Sequence, residues 1–291
     1  MLSGPPGALG VVLPQTALDY YFDRESLQPL AEKYRVSFGT ALPFRHVVID
    51  DFLPTDVLRD VVNAFPKPGD SDWQRFDAGQ EVKLALADET LMPTPLRHIL
   101  QQFNSSPFID FLEDLTTIAG LLPDPHLVGG GLHQIVRGGF LKVHADFNRH
   151  RRLGVDRRLN VLLYLNEDWD ESWGGHLELW DRDMTRVVHR VAPLFNRFVV
   201  FATTDYSYHG HPDPLRSPEG VTRRSLAWYY YTNGRPADEV SPDHTTLFRA
   251  RPGEAFRPTG LARAQDIARR STPPILVDAA RTLRARRQAG R

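Results

Sequence analysis

Between Leu127 and Thr232 the sequence alternates short apolar runs with turn residues and never settles into helical spacing. Strands are predicted at residues 132–136, 140–145, 159–166, 176–180, 186–191, 198–202 and 224–232. Gly138-Gly139, Gly174-Gly175, Asp181 with Asp183, and Pro193 with Asn196 supply the turns between them. Strands that follow one another without intervening helices argue for an antiparallel double-sheet jelly roll. The fold class expected is therefore mainly β with flanking helices (α+β), a double-stranded β-helix of cupin-like type.

Ahead of this region the periodicity is mixed. Residues 17–35 read as a helix, and Val47-Val48-Ile49 as a buried strand ending at Asp50-Asp51. Thr55 is a plausible N-cap for a helix whose apolar positions are Val57, Leu58, Val61, Val62 and Phe65, stopped by Pro66 and Pro68. Further helices are predicted at 95–103, 107–118 and 275–287. The organisation expected is an N-terminal extension (1–43), a main domain (44–235, its jelly-roll core about 127–235) and a tail with a basic helix (236–291). No internal repeat is evident.

The residues that carry chemistry start at 138–148, GGFLKVHADFN. His144 and Asp146 are two apart, so on a strand an imidazole and a carboxylate project from one face. A tripeptide of this kind is common by chance, most often a surface histidine beside a turn aspartate. A third ligand from a later strand would convert it into a two-histidine, one-carboxylate face that leaves positions of an octahedral metal open. His209 and His211, in SYHGHPDP, are the candidates. His209 is preferred because Pro212 draws its neighbour into a turn, but spacing alone leaves both open. His176 with Glu178 forms a rival H-x-E, while His133 and His189 read as structural or surface histidines.

Downstream, Arg223 and Ser225 share a strand face and Arg224 takes the opposite one. A guanidinium beside a hydroxyl suits bidentate capture of a carboxylate. With 291 residues and 41% hydrophobic content the chain can bury a large core. A net charge of -1 gives no push towards nucleic acid, and zero cysteines exclude disulfides and thiolate metal sites. No run reaches the roughly 20 apolar residues of a membrane helix, and the first residues make a poor signal peptide. A cytoplasmic protein with no nucleic-acid or membrane partner is expected, and nothing in the sequence sets an oligomeric state.

Taken together, H-A-D, RLNVLLYLNEDWDESWGGHLELW, NRFVVF, SYHGHPDP and R-R-S resemble the Fe(II)/2-oxoglutarate-dependent oxygenases of the prolyl 4-hydroxylase type, over about residues 130–232. The PFRHVVIDDFLP stretch is similar to the start of that domain in bacterial members. The resemblance implies Fe(II) held by His144, Asp146 and His209, with 2-oxoglutarate and O2 as co-substrates; ascorbate is also compatible with it. It implies Arg223 on the distal carboxylate of 2-oxoglutarate, assisted by Ser225 and Tyr164, with Leu162 and Leu177 as apolar lining. Arg223 lies further beyond His209 than is usual in the family, which keeps Arg224 as a fallback, and Leu141 stands where the family places an aromatic. Asp146 as a ligand favours hydroxylation over halogenation. The substrate implied is an amino-acid-like or natural-product small molecule, or alternatively a prolyl residue in a protein. Lys142, Arg149 and Trp173 are the candidate substrate contacts. A non-catalytic jelly-roll binding module is the reading outside enzymology, and it would have no need of a triad plus Arg223.

Overall fold

The computed structural model describes residues 20–255; the expected helix at 275–287, and residues 17–19 of the first predicted helix, lie outside them. In chain order the elements are α1 (Arg24–Thr40), β1 (His46–Ile49), α2 (Thr55–Ala64), β2 (Gln74–Ala78), β3 (Glu81–Leu86), α3 (Thr94–Gln102), α4 (Ser106–Thr116) and β4 (Leu122–Pro123). They continue with β5 (Gly131–Ile135), β6 (Phe140–Ala145), β7 (Arg149–His150), β8 (Val155–Tyr164), β9 (Leu177–Trp180), β10 (Val187–Val191), β11 (Phe198–Ala202), β12 (His209–His211), β13 (Arg223–Thr232) and β14 (Leu247–Phe248). The main strands run β1-β11-β8-β13-β5-β3-β6-β12-β9-β10, every pairing antiparallel. This is the jelly roll expected, nearly closed on itself.

Helices cover one face of the β8–β11–β13 layer. Period-two alternation on β8 and β13 turns Leu163, Leu226, Trp228 and Tyr230 outward into the helical core, while the alternate residues face the barrel interior. Phe103 stacks on Trp228 and Phe52 on Phe198, both at 3.9 Å between ring centroids. The Trp228 indole and Tyr230 hydroxyl reach the carbonyls of Leu100 and Phe103, so these buried aromatics also satisfy their polar atoms.

Local signals explain most boundary differences. The first helix starts at Arg24 rather than 17, because the Asp23 carboxylate accepts from the Ser26 amide at 2.8 Å and caps it there. It runs on to Thr40, since Leu27, Ala31 and Phe38 keep one face buried. Thr55 is the first residue of α2 and not its cap; Pro54 occupies the cap position and makes no side-chain bond. The largest omission is the β2–β3 hairpin, joined by Gly79 and Gln80, which inserts β3 between β5 and β6. Residues 209–211, which fall in none of the predicted strands, form β12. β14 comes back to pair with β6, Phe248 opposite His144.

Candidate active site

β6 and β12 pair so that His209 lies directly opposite His144. The approach is close because Gly210 intervenes: a Cβ there would meet the Leu141 and Lys142 carbonyl oxygens at 2.8 and 2.9 Å. His144 Nε2 is 3.6 Å from Asp146 Oδ1, and His209 Nε2 is 3.5 Å from Asp146 Oδ2. His144, Asp146 and His209 offer ligand atoms all within 4.8 Å of one another. Each imidazole donates its Nδ1–H to a backbone carbonyl, His144 to Lys142 at 2.8 Å and His209 to Ser207 at 2.9 Å. That fixes the tautomer which leaves both Nε2 lone pairs facing the gap. Burial, with His144 next to it, lowers His209 to about 4, so it stays a neutral ligand at ordinary pH. Burial alone would raise Asp146; Arg157, His209 and His144 overcome this and hold it well below the usual carboxylate range. Two imidazoles and one carboxylate fit a divalent iron with open positions.

The carboxylate is itself held. Asn160 Nδ2 donates to Asp146 Oδ2 at 2.7 Å, and Arg157 lies 3.2 Å from the same oxygen. Arg157 donates to Asn160 Oδ1 through Nε and Nη2, and its guanidinium lies between the Tyr229 and Phe147 rings, 3.4 and 4.5 Å from their centroids. Neither residue was singled out from sequence. Asn160 was legible, sitting two before Leu162 on one strand face.

Below the triad, Asn160, Leu162 and Tyr164 follow one another on the inner face of β8, opposite Tyr229, Ala227 and Ser225 of β13. Arg223 donates from Nε to the Gly175 carbonyl at 2.7 Å and from Nη2 to the Tyr164 hydroxyl at 3.1 Å. Burial lowers the Arg223 pKa and raises that of Tyr164. Among the described residues no carboxylate lies within ion-pairing distance of Arg223. Arg224 is on the other side of the sheet, near Glu167 and the Phe65 ring. A cavity of about 310 Å³ holds His144, Asp146, His209, Arg223, Ser225, Leu162 and Leu177 together.

The three candidate substrate contacts are not among its lining. β6 carries a register shift: His211 opposes Leu141 while His209 opposes His144, three residues against two. Leu141 and His144 therefore both face the cavity, and Lys142 turns to Glu254 and the Pro212 carbonyl. The exposed Arg149 donates to the Gly154 carbonyl, and Trp173 packs edge-on against Trp169. His176 pairs with Glu171, and Glu178 with Trp180 and Arg190, so the rival H-x-E faces elsewhere. Two expectations about histidines change. His211 also faces the cavity, for it lies on a strand and not in a turn, and His133, read as structural or surface, lines the cavity wall. Phe76, Glu81 and Lys83 join them from the hairpin.

Residues 130–231 match the family model of the 2OG-Fe(II) oxygenase superfamily. Among curated proteins, the prolyl 3-hydroxylase OGFOD1 of Mus musculus is 32% identical over 79 residues, 26% of this chain; the chain spans 14% of that relative's length. Among solved structures, a Pseudomonas putida prolyl-4-hydroxylase is 18% identical, covering 72% of this chain and 100% of its own, with a TM-score of 0.48. HygX from Streptomyces hygroscopicus, solved with nickel, 2-oxoglutarate and hygromycin B, is 12% identical over 74% of this chain and 96% of its own, with a TM-score of 0.47. The segment that matches the 2OG-Fe(II) oxygenase superfamily model carries the His144–Asp146–His209 triad inside one jelly-roll cavity.

Proposed function

We propose that the chain is an Fe(II)- and 2-oxoglutarate-dependent dioxygenase that hydroxylates an unactivated C–H bond of an amino-acid-like or natural-product small molecule. Succinate and CO2 are the co-products. The observation that carries this reading is a buried arginine, without a carboxylate partner among the described residues, in the same cavity as a two-histidine, one-carboxylate triad. When bound, Fe(II) supplies the activation of O2 that the oxidative decarboxylation of 2-oxoglutarate drives.

The residues of the chain do the rest. His144, Asp146 and His209 hold the metal, and Arg157 with Asn160 keep the Asp146 carboxylate turned towards it. Arg223 takes the distal carboxylate of 2-oxoglutarate, with the Tyr164 hydroxyl and Ser225 beside it and Leu162 and Leu177 excluding water. Leu141 leaves room at the position where an aromatic would narrow the cavity. The peptidyl-prolyl reading is the second one, favoured by the segment shared with the mouse prolyl 3-hydroxylase.

Anaerobic mixing with Fe(II) and 2-oxoglutarate tests the proposal. A visible charge-transfer band is expected that is lost in His144→Ala and Asp146→Ala. No band, together with no 2-oxoglutarate turnover with any substrate, would remove the oxygenase reading.

A further inference from the structure

Two charged side chains and two histidines in the cavity remain after the triad, its orienting pair and the Arg223 group are assigned: Glu81, Lys83, His133 and His211. They form one wall. Glu81 and Lys83 are two apart on β3 and share its inner face; Glu81 opposes Leu141 on β6, and Ala85 on the same face opposes His133 on β5. Phe76 of β2 opposes Lys83, whose ammonium lies 4.9 Å from the ring centroid.

Resting on the hydroxylase reading above, we propose that Glu81 and Lys83 receive the ammonium and carboxylate of the primary substrate, a free α-amino acid. Their charged groups are 2.9 Å apart, with side chains only 20% and 15% exposed. An ion pair largely out of water adds little net stability, yet this pair lines the same cavity as the triad. Two opposite charges in contact are complementary to a ligand that carries the same two charges in reverse order, and an α-amino acid fixes them one carbon apart. A residue within a polypeptide has neither charge, so the pair separates the free molecule from the peptide. His133 does not upset the balance: burial, then Lys83, lower it to about 3, which leaves a neutral hydrogen-bonding ring and not a third cation. His211 keeps a buried Nδ1 without a hydrogen-bond partner on the same wall. At about 310 Å³ for co-substrate and substrate together, the cavity is at the small end of ligand sites, which span about 300–1,000 Å³.

The test uses the whole protein with Fe(II), 2-oxoglutarate and O2, and reads succinate formation. The probes are the free L-amino acids, each against its Nα-acetyl carboxamide. Stimulation by one or more free amino acids, lost in the blocked forms, is expected. Lys83→Met and Glu81→Gln are expected to lower kcat/KM for that amino acid by about 30-fold or more, mostly through KM, with the anaerobic 2-oxoglutarate band unchanged as evidence that each variant is folded. The double exchange Glu81→Lys/Lys83→Glu is expected to recover part of the loss, because it keeps a pair of opposite charges. Equal stimulation by free and blocked forms, no stimulation by any free amino acid, or band-positive variants with wild-type kcat/KM would each overturn the assignment while leaving the hydroxylase standing. A wild-type protein without the band would overturn the hydroxylase itself, and this proposal with it.

Discussion

Two arginines are buried in the cavity, and they differ in what neutralises them. Arg157 is 1% exposed and sits 3.2 Å from the Asp146 carboxylate; Arg223 is 5% exposed and, among the described residues, bonds to a carbonyl and a hydroxyl. Replacing each with methionine keeps much of the volume and removes the charge. Arg157→Met strands a buried carboxylate, and losing one partner of a buried pair costs about 3–5 kcal/mol. Arg223→Met has two opposing effects. It removes a buried, unpaired guanidinium whose effective desolvation penalty is on the order of several kcal/mol. It also leaves the Gly175 carbonyl and the Tyr164 hydroxyl unsatisfied, at about 1–3 kcal/mol each. The two nearly cancel, so the metal-free, ligand-free stability of Arg223→Met should stay within about 2 kcal/mol of wild type.

Binding should reverse the ranking. If Arg223 anchors the distal carboxylate, its loss weakens 2-oxoglutarate by about 2–5 kcal/mol, or roughly 30- to 5,000-fold. Urea unfolding followed by tryptophan fluorescence gives the first quantity, and calorimetric titration of 2-oxoglutarate into the metal-loaded protein gives the second. A ligand-free Arg223→Met as unstable as Arg157→Met would mean that Arg223 is a structural strut. Unchanged 2-oxoglutarate affinity would mean that the anchor lies elsewhere, with Arg224→Ala the next variant to titrate.

Three other outcomes follow from particular contacts. Gly175 has φ of 73°, and a Cβ there would sit 3.0 Å from Arg223 Cδ; Gly175→Ala should cost about 1–2 kcal/mol of backbone strain and weaken 2-oxoglutarate binding, and a stable variant with full affinity would contradict this. Gly210→Ala should part β12 from β6 and reduce Fe(II) affinity by about 10- to 100-fold, read by anaerobic metal titration with circular dichroism as the fold control; wild-type affinity would show that the strands absorb the methyl. Burial, as the largest cause, lowers the pKa of both His46 and His133, the latter to about 3. The unfolded chain therefore binds more protons than the folded one below about pH 6.5, and stability falls as pH drops through that value. The melting temperature of metal-depleted protein should decline from pH 7.5 towards 5.5 (about one unit either side of the free imidazole pKa), less steeply in His46→Asn, and a flat profile would exclude this.

Much of the site was legible because strand alternation is a strictly local property. His144 and Asp146, and Arg223 and Ser225, obey it and line one cavity with Leu162, while Tyr164, on the same strand face as Leu162, reaches Arg223. What the spacing could not give is what depends on which strands become neighbours. The β2–β3 hairpin has readable alternation of its own, yet nothing in its residues says that β3 inserts between β5 and β6 and brings Glu81 and Lys83 to the wall. Arg157 is three residues from Asn160, out of phase with the inner face, and it reaches Asp146 only because a long side chain can cross between two aromatic rings.

Lys142 shows the limit most clearly. Strict period two along β6 would put Lys142 on the face of His144, and the ladder departs from it at one extra residue in β6, where Leu141 and His144 are opposed by His211 and His209. A bulge reverses the facing of every residue before it, and it is a property of the pairing, not of one strand. The same extra residue puts Leu141 into the cavity and sends Lys142 out to Glu254. His209 and His211, two apart on β12, both face inward by simple alternation, while only His209 meets His144 and Asp146. The choice between His209 and His211 was therefore never contained in the H-G-H tripeptide; it was made across the ladder, by the strand that carries H-A-D.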